Sequence, residues 1–402
     1  MKTDFKKIKF IFLAIALIFS LFFSNDFGLI DVEKTAIITA LAIDIEQDEY
    51  VVTAQVAVPE ATDTNSENQK AELVGKGSTV AGAIKQLGDY SGWFPKLSFC
   101  NLILLGNTLS NTNVVGVLDY FAKTLRVQDS ALVAFAEDKA SKLLQVSSPL
   151  DNISSFAIQK VLLKNPGFDR NVSTNNIKSF CSGHYSKHGS AFMPLVKIID
   201  LEENQSDTSN SSSSSTKSQS QGSTKTNGKC LFDAKTTALF KNGYLVGQLD
   251  EDLTLVFNAL NNSIVGTTIS VDDVEYKYGT RCNYLVNVMG TNQKVNLIAT
   301  DSSLTLDIGL NIFCKVSDQN ADHSDQSLSK NLPLPAPLKE KLELTLTDSI
   351  ERLLQKSKQT SCDFFNLKEK LYRFNYKQYS RYKDNYLDCL TAKISVNAWS
   401  QK

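Results

Sequence analysis

Residues 204–229 read NQSDTSNSSSSSTKSQSQGSTKTNGK, without one large apolar side chain. Such a stretch cannot bury enough surface to offset the entropy of ordering it. It predicts a flexible linker, or a solvated loop inserted within one domain. Either way, the chain must build its cores from the sequence on each side. At 402 residues it is also too long for a single compact core, so two to three domains are expected. The expected layout is an N-terminal hydrophobic segment over 1–30 and an α+β domain over 31–203. The serine-rich linker then covers 204–229, and a second α+β domain covers 230–402.

The first of these segments fixes where the chain works. Lys2, Lys6, Lys7 and Lys9 precede an uncharged run over residues 10–24, FIFLAIALIFSLFFS. A basic flank before an apolar run is the layout of a signal peptide or signal anchor, with the basic end left in the cytoplasm. The run is short for a spanning helix of ~20 residues, but extension from Ile8 to Ile30 brings it close. Ser24 suits the position before a cleavage site, whereas Phe22 does not suit the one two residues earlier. An uncleaved anchor with an extracytoplasmic body is therefore expected.

Between anchor and linker, apolar runs over 35–45 and 50–58 flank a polar EQDE turn and predict two strands. Val80, Ala83, Ile84 and Leu87 have helical spacing, as do Val114, Val117, Leu118, Phe121 and Leu125. Strands are expected over 99–105 and 131–135, and a short helix over 138–144. Beyond the linker, Asn242-Gly243 between two apolar runs is a strong hairpin signal. Asp250 can cap a helix whose apolar face is Leu253, Val256, Phe257 and Leu260. Three strands are expected over 284–289, 295–299 and 304–316. Pro333, Pro335 and Pro337 lead into a helix bearing Leu342, Leu346, Ile350, Leu353 and Leu354. In the last strand Leu390, Ala392, Ile394, Val396 and Ala398 alternate with polar residues, so one face should be buried.

Reactive residue types are sparse. The net charge of -1 gives no pull toward nucleic acid. The seven cysteines are scattered without a CxxC pair, which argues for burial as small apolar groups rather than zinc binding. Of three histidines, His184 and His188 have a metal-ligand spacing, but flanking glycines favour a surface loop. Asp44 ends an apolar strand and is read as a cap rather than a site. Gly75-Lys76-Gly77-Ser78 lacks the spacing of a phosphate loop. Tyr372, Tyr376, Tyr379, Tyr382 and Tyr386, interleaved with Arg373, Lys377, Arg381 and Lys383, read as a packing segment or protein contact. No catalytic, cofactor-binding or metal-binding residue is assigned, and no enzyme activity is expected.

Four stretches, in order, resemble the Ger(x)C family. They are residues 31–44 (DVEKTAIITALAID), the pair 77–87 (GSTVAGAIKQL) and 97–106 (LSFCNLILLG), residues 238–250 (ALFKNGYLVGQLD), and residues 361–374 (SCDFFNLKEKLYRF) with the final alternating strand. The resemblance implies an extracytoplasmic C subunit of a nutrient germinant receptor in endospore-forming bacteria. It implies membrane partners of A type (receptor-like) and B type (transporter-like), a place at the inner spore membrane, and no catalytic residues or cofactors. Asn242, Gly243, Gly247, Asp250 and Asp363 are then expected to shape the fold. Family members typically carry a lipobox cysteine before the opening motif; here Asp26 stands in that register, and the hydrophobic segment takes the place of the lipid. The alternative function is a stand-alone extracytoplasmic solute-binding protein.

Overall fold

The computed structural model describes residues 9–10, 12–17, 35–57, 70–124, 127–163, 171–200, 230–261, 264, 266–275, 281–320 and 334–400. The serine-rich segment and most of the expected anchor lie outside the described residues. Residues 9–10 and 12–17 are helical. Among the described residues no helix is long and apolar enough to cross a membrane.

Every residue of strand β1 (Thr35–Glu46) from Ile38 to Asp44 is buried, so both faces of the strand must be covered. It lies inside a ten-stranded sheet. Antiparallel β2 (Glu49–Ala57) and β3 (Lys70–Gly77) follow on one side of it. On the other side run parallel β5 (Leu102–Leu105), β6 (Leu132–Ala136) and β8 (Ser190–Asp200). Two short strands, β4 (Phe94–Lys96) and β7 (Asn175–Asn176), pair with β1 and β6.

Alternation along β1 and β5 sorts two cores. Leu41, Ile43, Ile103 and Leu105 face one core with α1 (Val80–Ser91), α2 (Val114–Thr124) and α5 (Ile177–Tyr185). Ala40, Ala42, Leu102 and Leu104 face the other, with α3 (Ala140–Gln145) and α4 (Ser154–Leu162). A buried polar set pins this second pair of helices. The Gln55 amide donates to the Leu144 carbonyl at 3.1 Å and accepts from the Ser155 amide at 2.9 Å, while the Ser155 hydroxyl bonds Thr39 at 3.0 Å.

The expected boundary at the serine-rich segment does not coincide with the sheet. Strand β9 (Cys230–Lys241) pairs antiparallel with β8, from Asp200 opposite Cys230 to Ser190 opposite Lys241. With β10 (Tyr244–Leu249) it completes the first sheet. The reason lies in its side chains: Phe232 and Ala234 join one core of that sheet and Ala238 and Phe240 the other. Leu239 enters a third core, that of the C-terminal part.

That third core lies on a four-stranded sheet in the order β11 (Thr267–Glu275), β12 (Arg281–Ala299), β13 (Leu304–Asn320) and β14 (Leu390–Trp399). It is covered by α6 (Glu251–Asn261), α7 (Ala336–Thr360) and α8 (Leu367–Phe374). Pro335 is the N-cap of α7, with Pro337 in its first turn. Leu342, Leu346, Ile350 and Leu353 form its buried face as expected. The runs expected as two strands over 284–289 and 295–299 are one continuous strand, β12, paired with β13 along its length. Gly290 and Asn292 break the apolar pattern, but the ladder passes through them with an irregularity at Val288/Gly290. In β14, Leu390 and Ala398 are buried and Ile394 and Val396 half-buried, whereas Ala392 is exposed. Among the described residues this strand pairs only with β13, and it is covered at its ends.

The Asn242-Gly243 turn is as expected: both residues have positive φ, 52° and 87°, the geometry a tight hairpin demands. The Gly243 carbonyl accepts from the Val114 amide at 3.0 Å, which docks the hairpin on the start of α2. A Cβ at Gly243 would lie 2.0 Å from Asn113 Oδ1. Gly243→Ala is therefore expected to lower stability by ~2 kcal/mol through left-handed strain and this contact. Asn242→Gly should be nearly neutral. Denaturant titration of both variants checks this.

Candidate functional site

An unpaired buried carboxylate marks a chemical site, whereas a paired one marks structure. Asp44 Oδ1 accepts from the Ala140 amide and Oδ2 from the Ser141 amide, each at 3.0 Å, and Thr108 donates to it at 3.2 Å. It caps α3 from β1, which is the capping role expected, made to a distant helix rather than to its own turn. Gly106 leaves room for it, since a Cβ there would lie 1.9 Å from Asp44 Oδ1. Asp250 caps α6 by accepting from the Leu253 amide at 2.8 Å.

Gly75 and Gly77 serve packing. Cβ atoms there would fall 2.2 Å and 2.8 Å from the Ala83 backbone, so the glycines let α1 lie against β3. Gly247 lies beside α7, where a Cβ would stand 3.3 Å from Thr360 Cγ2. Six cysteines are buried and Cys389 is exposed. Burial pushes Cys100 and Cys314 up to about 12 and Cys181 to about 11, so these thiols stay protonated. Among the described residues no group of three or more His, Cys, Asp or Glu is placed to hold a metal.

The polar groups that do converge sit where the C-terminal part meets β8 and β9. Asp363 is buried just before α8. Its Oδ1 accepts from the Phe365 and Leu367 amides at 3.2 and 2.9 Å, and its Oδ2 from Lys368 at 2.9 Å. Its own amide donates to Ser190 Oγ at 3.0 Å. The Ser190 amide donates to His188 Nδ1 at 3.0 Å, and Lys241 Nζ donates to the His188 carbonyl at 2.7 Å.

His188 is thus buried, not on a surface loop as the flanking glycines suggested. The segment before it is helical because Asn176 caps α5, and Ile177, Phe180 and Cys181 bury one face. His184 ends that helix, with its ring 4.8 Å from that of Tyr185. Among the described residues the two histidines belong to no group of three metal-ligating side chains.

Ser, His and Asp therefore come together, but not as a nucleophile with its base. Nδ1 of His188 accepts from a backbone amide, and Ser190 Oγ accepts from the Asp363 amide and donates to the His188 carbonyl at 3.3 Å. The arrangement ties β8 to the turn before α8. Beside it opens a cleft of about 820 Å³ between α5 and α8, lined by Lys178, Lys187, His188, Glu369, Lys370 and Arg373. Glu369 accepts from Arg373 Nε at 2.7 Å and from the Lys187 amide at 3.1 Å. Arg373 and the Lys187 amide hold its carboxyl below the usual range. Burial lowers the pKa of Lys370 and Lys241.

Of the tyrosine stripe, Tyr382 and Tyr386 enter the C-terminal core. Tyr372, Tyr376 and Tyr379 form an outer cluster with ring centroids 5.2–5.9 Å apart. Lys187 Nζ lies 4.5 Å from the Tyr372 ring centroid.

Two family models match the chain in succession. "Spore germination protein N-terminal domain" matches residues 29–198, and "Spore germination B3/ GerAC like, C-terminal" matches residues 235–400. The chain belongs to the Ger(x)C family of spore germination proteins. Its fold, α+β and multi-domain, is similar to that of a solved structure described as the GerBC protein. The TM-score is 0.51 at 17% identity, over 92% of this chain and 100% of that one. No curated protein matches the sequence.

Two predictions test the junction. Asp363→Ala would leave three amides without their acceptor and should cost ~3 kcal/mol, whereas Asp363→Asn, which keeps one oxygen, should cost less. Equilibrium unfolding measures both. Burial is the main cause that lowers His188 below its ordinary 6.5. The unfolded chain therefore binds more protons near that pH, and stability should be full above pH 6.5 and fall as pH drops below it. In His188→Gln, the loss of stability between about pH 6.5 and 5.5 should be smaller than in wild type.

Proposed function

We propose that this chain is the non-catalytic, membrane-tethered C subunit of a nutrient germinant receptor, acting on the extracytoplasmic face beside A-type and B-type membrane subunits. The observation that carries this reading is the pair of family matches in sequence order, 29–198 and 235–400, over a fold like that of GerBC. The buried polar groups support it: Asp44 and Asp363 cap helices, and His188 and Ser190 join one part of the fold to another. A subunit that positions partners needs such rigidity more than it needs a reactive group. The N-terminal hydrophobic run supplies the tether.

A deletion strain with no second copy should germinate slowly or not at all on nutrients, and normally on non-nutrient triggers. Loss of optical density in each condition measures this, and normal nutrient germination would overturn the reading. The cleft beside His188 is the observation that favours the second reading, a solute-binding protein. A ligand of this cleft would raise the melting temperature of the purified chain in proportion to the logarithm of its concentration.

A further inference from the structure

The geometry points to a membrane-seating edge on the first sheet, formed by Trp93, Phe94, Lys96 and Phe99 beside the start of β1. The inference rests on the tether reading above and adds to it an orientation.

β1 begins at Thr35, and its first residues run ahead of the ladder with β2, whose first partner is Ile38. There β1 pairs instead with the short β4: Thr35 opposite Phe94 and Ile37 opposite Lys96. These side chains share one face, because paired residues in neighbouring strands point the same way. Ile37, Phe94, Trp93 and Phe99 are 37%, 43%, 48% and 51% exposed. Lys96 Nζ stands 5.8 Å from the Phe99 ring centroid. Tyr90, at the end of the adjoining helix α1, is 77% exposed.

An edge with two phenylalanines, a tryptophan, a tyrosine and an isoleucine open to water calls for a cover. Chain connectivity says which cover is within reach. Extended across Asn25 and Asp26, the N-terminal run reaches Ile30, and the residues from there to Thr35 span at most ~18 Å. Phe94 lies one strand spacing from Thr35, ~5 Å further. If the run enters a bilayer, this edge is held next to the headgroup layer. Trp, Tyr and Lys are the side chains that favour that layer, their rings in the acyl boundary and the ammonium among phosphates. The occupant is therefore the lipid headgroup region, not a second protein.

The chain has two tryptophans, Trp93 and Trp399, and this permits a direct test. Full-length W399F and W93F proteins are reconstituted into phosphatidylcholine/phosphatidylglycerol vesicles containing lipids brominated near the headgroup end of the acyl chain. Flotation reports the tether, and tryptophan emission reports the edge. The expected result is that both proteins float, that Trp93 emission is quenched and blue-shifted, and that Trp399 emission is unchanged. Adding F94S and F99S to W399F, both at exposed positions, should weaken the quenching and leave flotation intact. Flotation with Trp93 quenched no more than Trp399 would overturn the seating while the tether stands, and would give the edge to a protein neighbour. Failure to float would remove the tether and the seating together.

Discussion

Strand β9 is the element on which the rest depends. Its side chains enter three cores: Phe232 and Ala234 one, Ala238 and Phe240 another, and Leu239 a third. Phe240 also makes edge contacts with Phe135 and Phe180, with centroids 5.5 and 5.3 Å away. Cys362, just before α8, approaches its carbonyl at 3.7 Å. A strand committed to several cores couples them, because a shift of register would turn every side chain to the wrong face. The packing of the two sheets therefore meets along β9.

How far the sequence disclosed this varied with the kind of signal. Helices with one clear face, such as α1, α2 and α7, were legible from spacing alone. So was the Asn242-Gly243 turn, where the residues state their backbone angles. Capping by Asp44 was legible as a role but not as an address, because its partners are Ala140 and Ser141, far along the chain. The continuity of β12 was hidden by Gly290 and Asn292, which look like turn residues and are held in the strand by partners on β13. The membership of β9 in the first sheet was hidden for the same reason: pairing across a long gap leaves no local trace. His188 shows the limit most plainly. Glycines on either side suggest exposure, yet its carbonyl and Nδ1 are used by Lys241 and Ser190 in a buried junction.

That junction also separates appearance from chemistry. A serine, a histidine and an aspartate within bonding reach invite a catalytic reading, but the direction of each bond assigns them to architecture. The carboxylate of Asp363 answers three backbone amides, and the histidine ring nitrogen answers another. The cleft alongside is lined by Lys178, Lys187, Lys370 and Arg373 together with Glu369.

The pairing of Asp200 with Cys230 has a consequence for how this chain can vary. Everything between these two residues begins and ends at adjacent points on one sheet, so the ends are already closed by the ladder. The entropy of closing such a segment grows only logarithmically, by about 0.6 kcal/mol for each doubling of its length. Residues can therefore be gained or lost there at little cost in closure entropy. The serine-rich stretch is the place where this fold can drift in length across generations, while β8 and β9 on either side are held to their register.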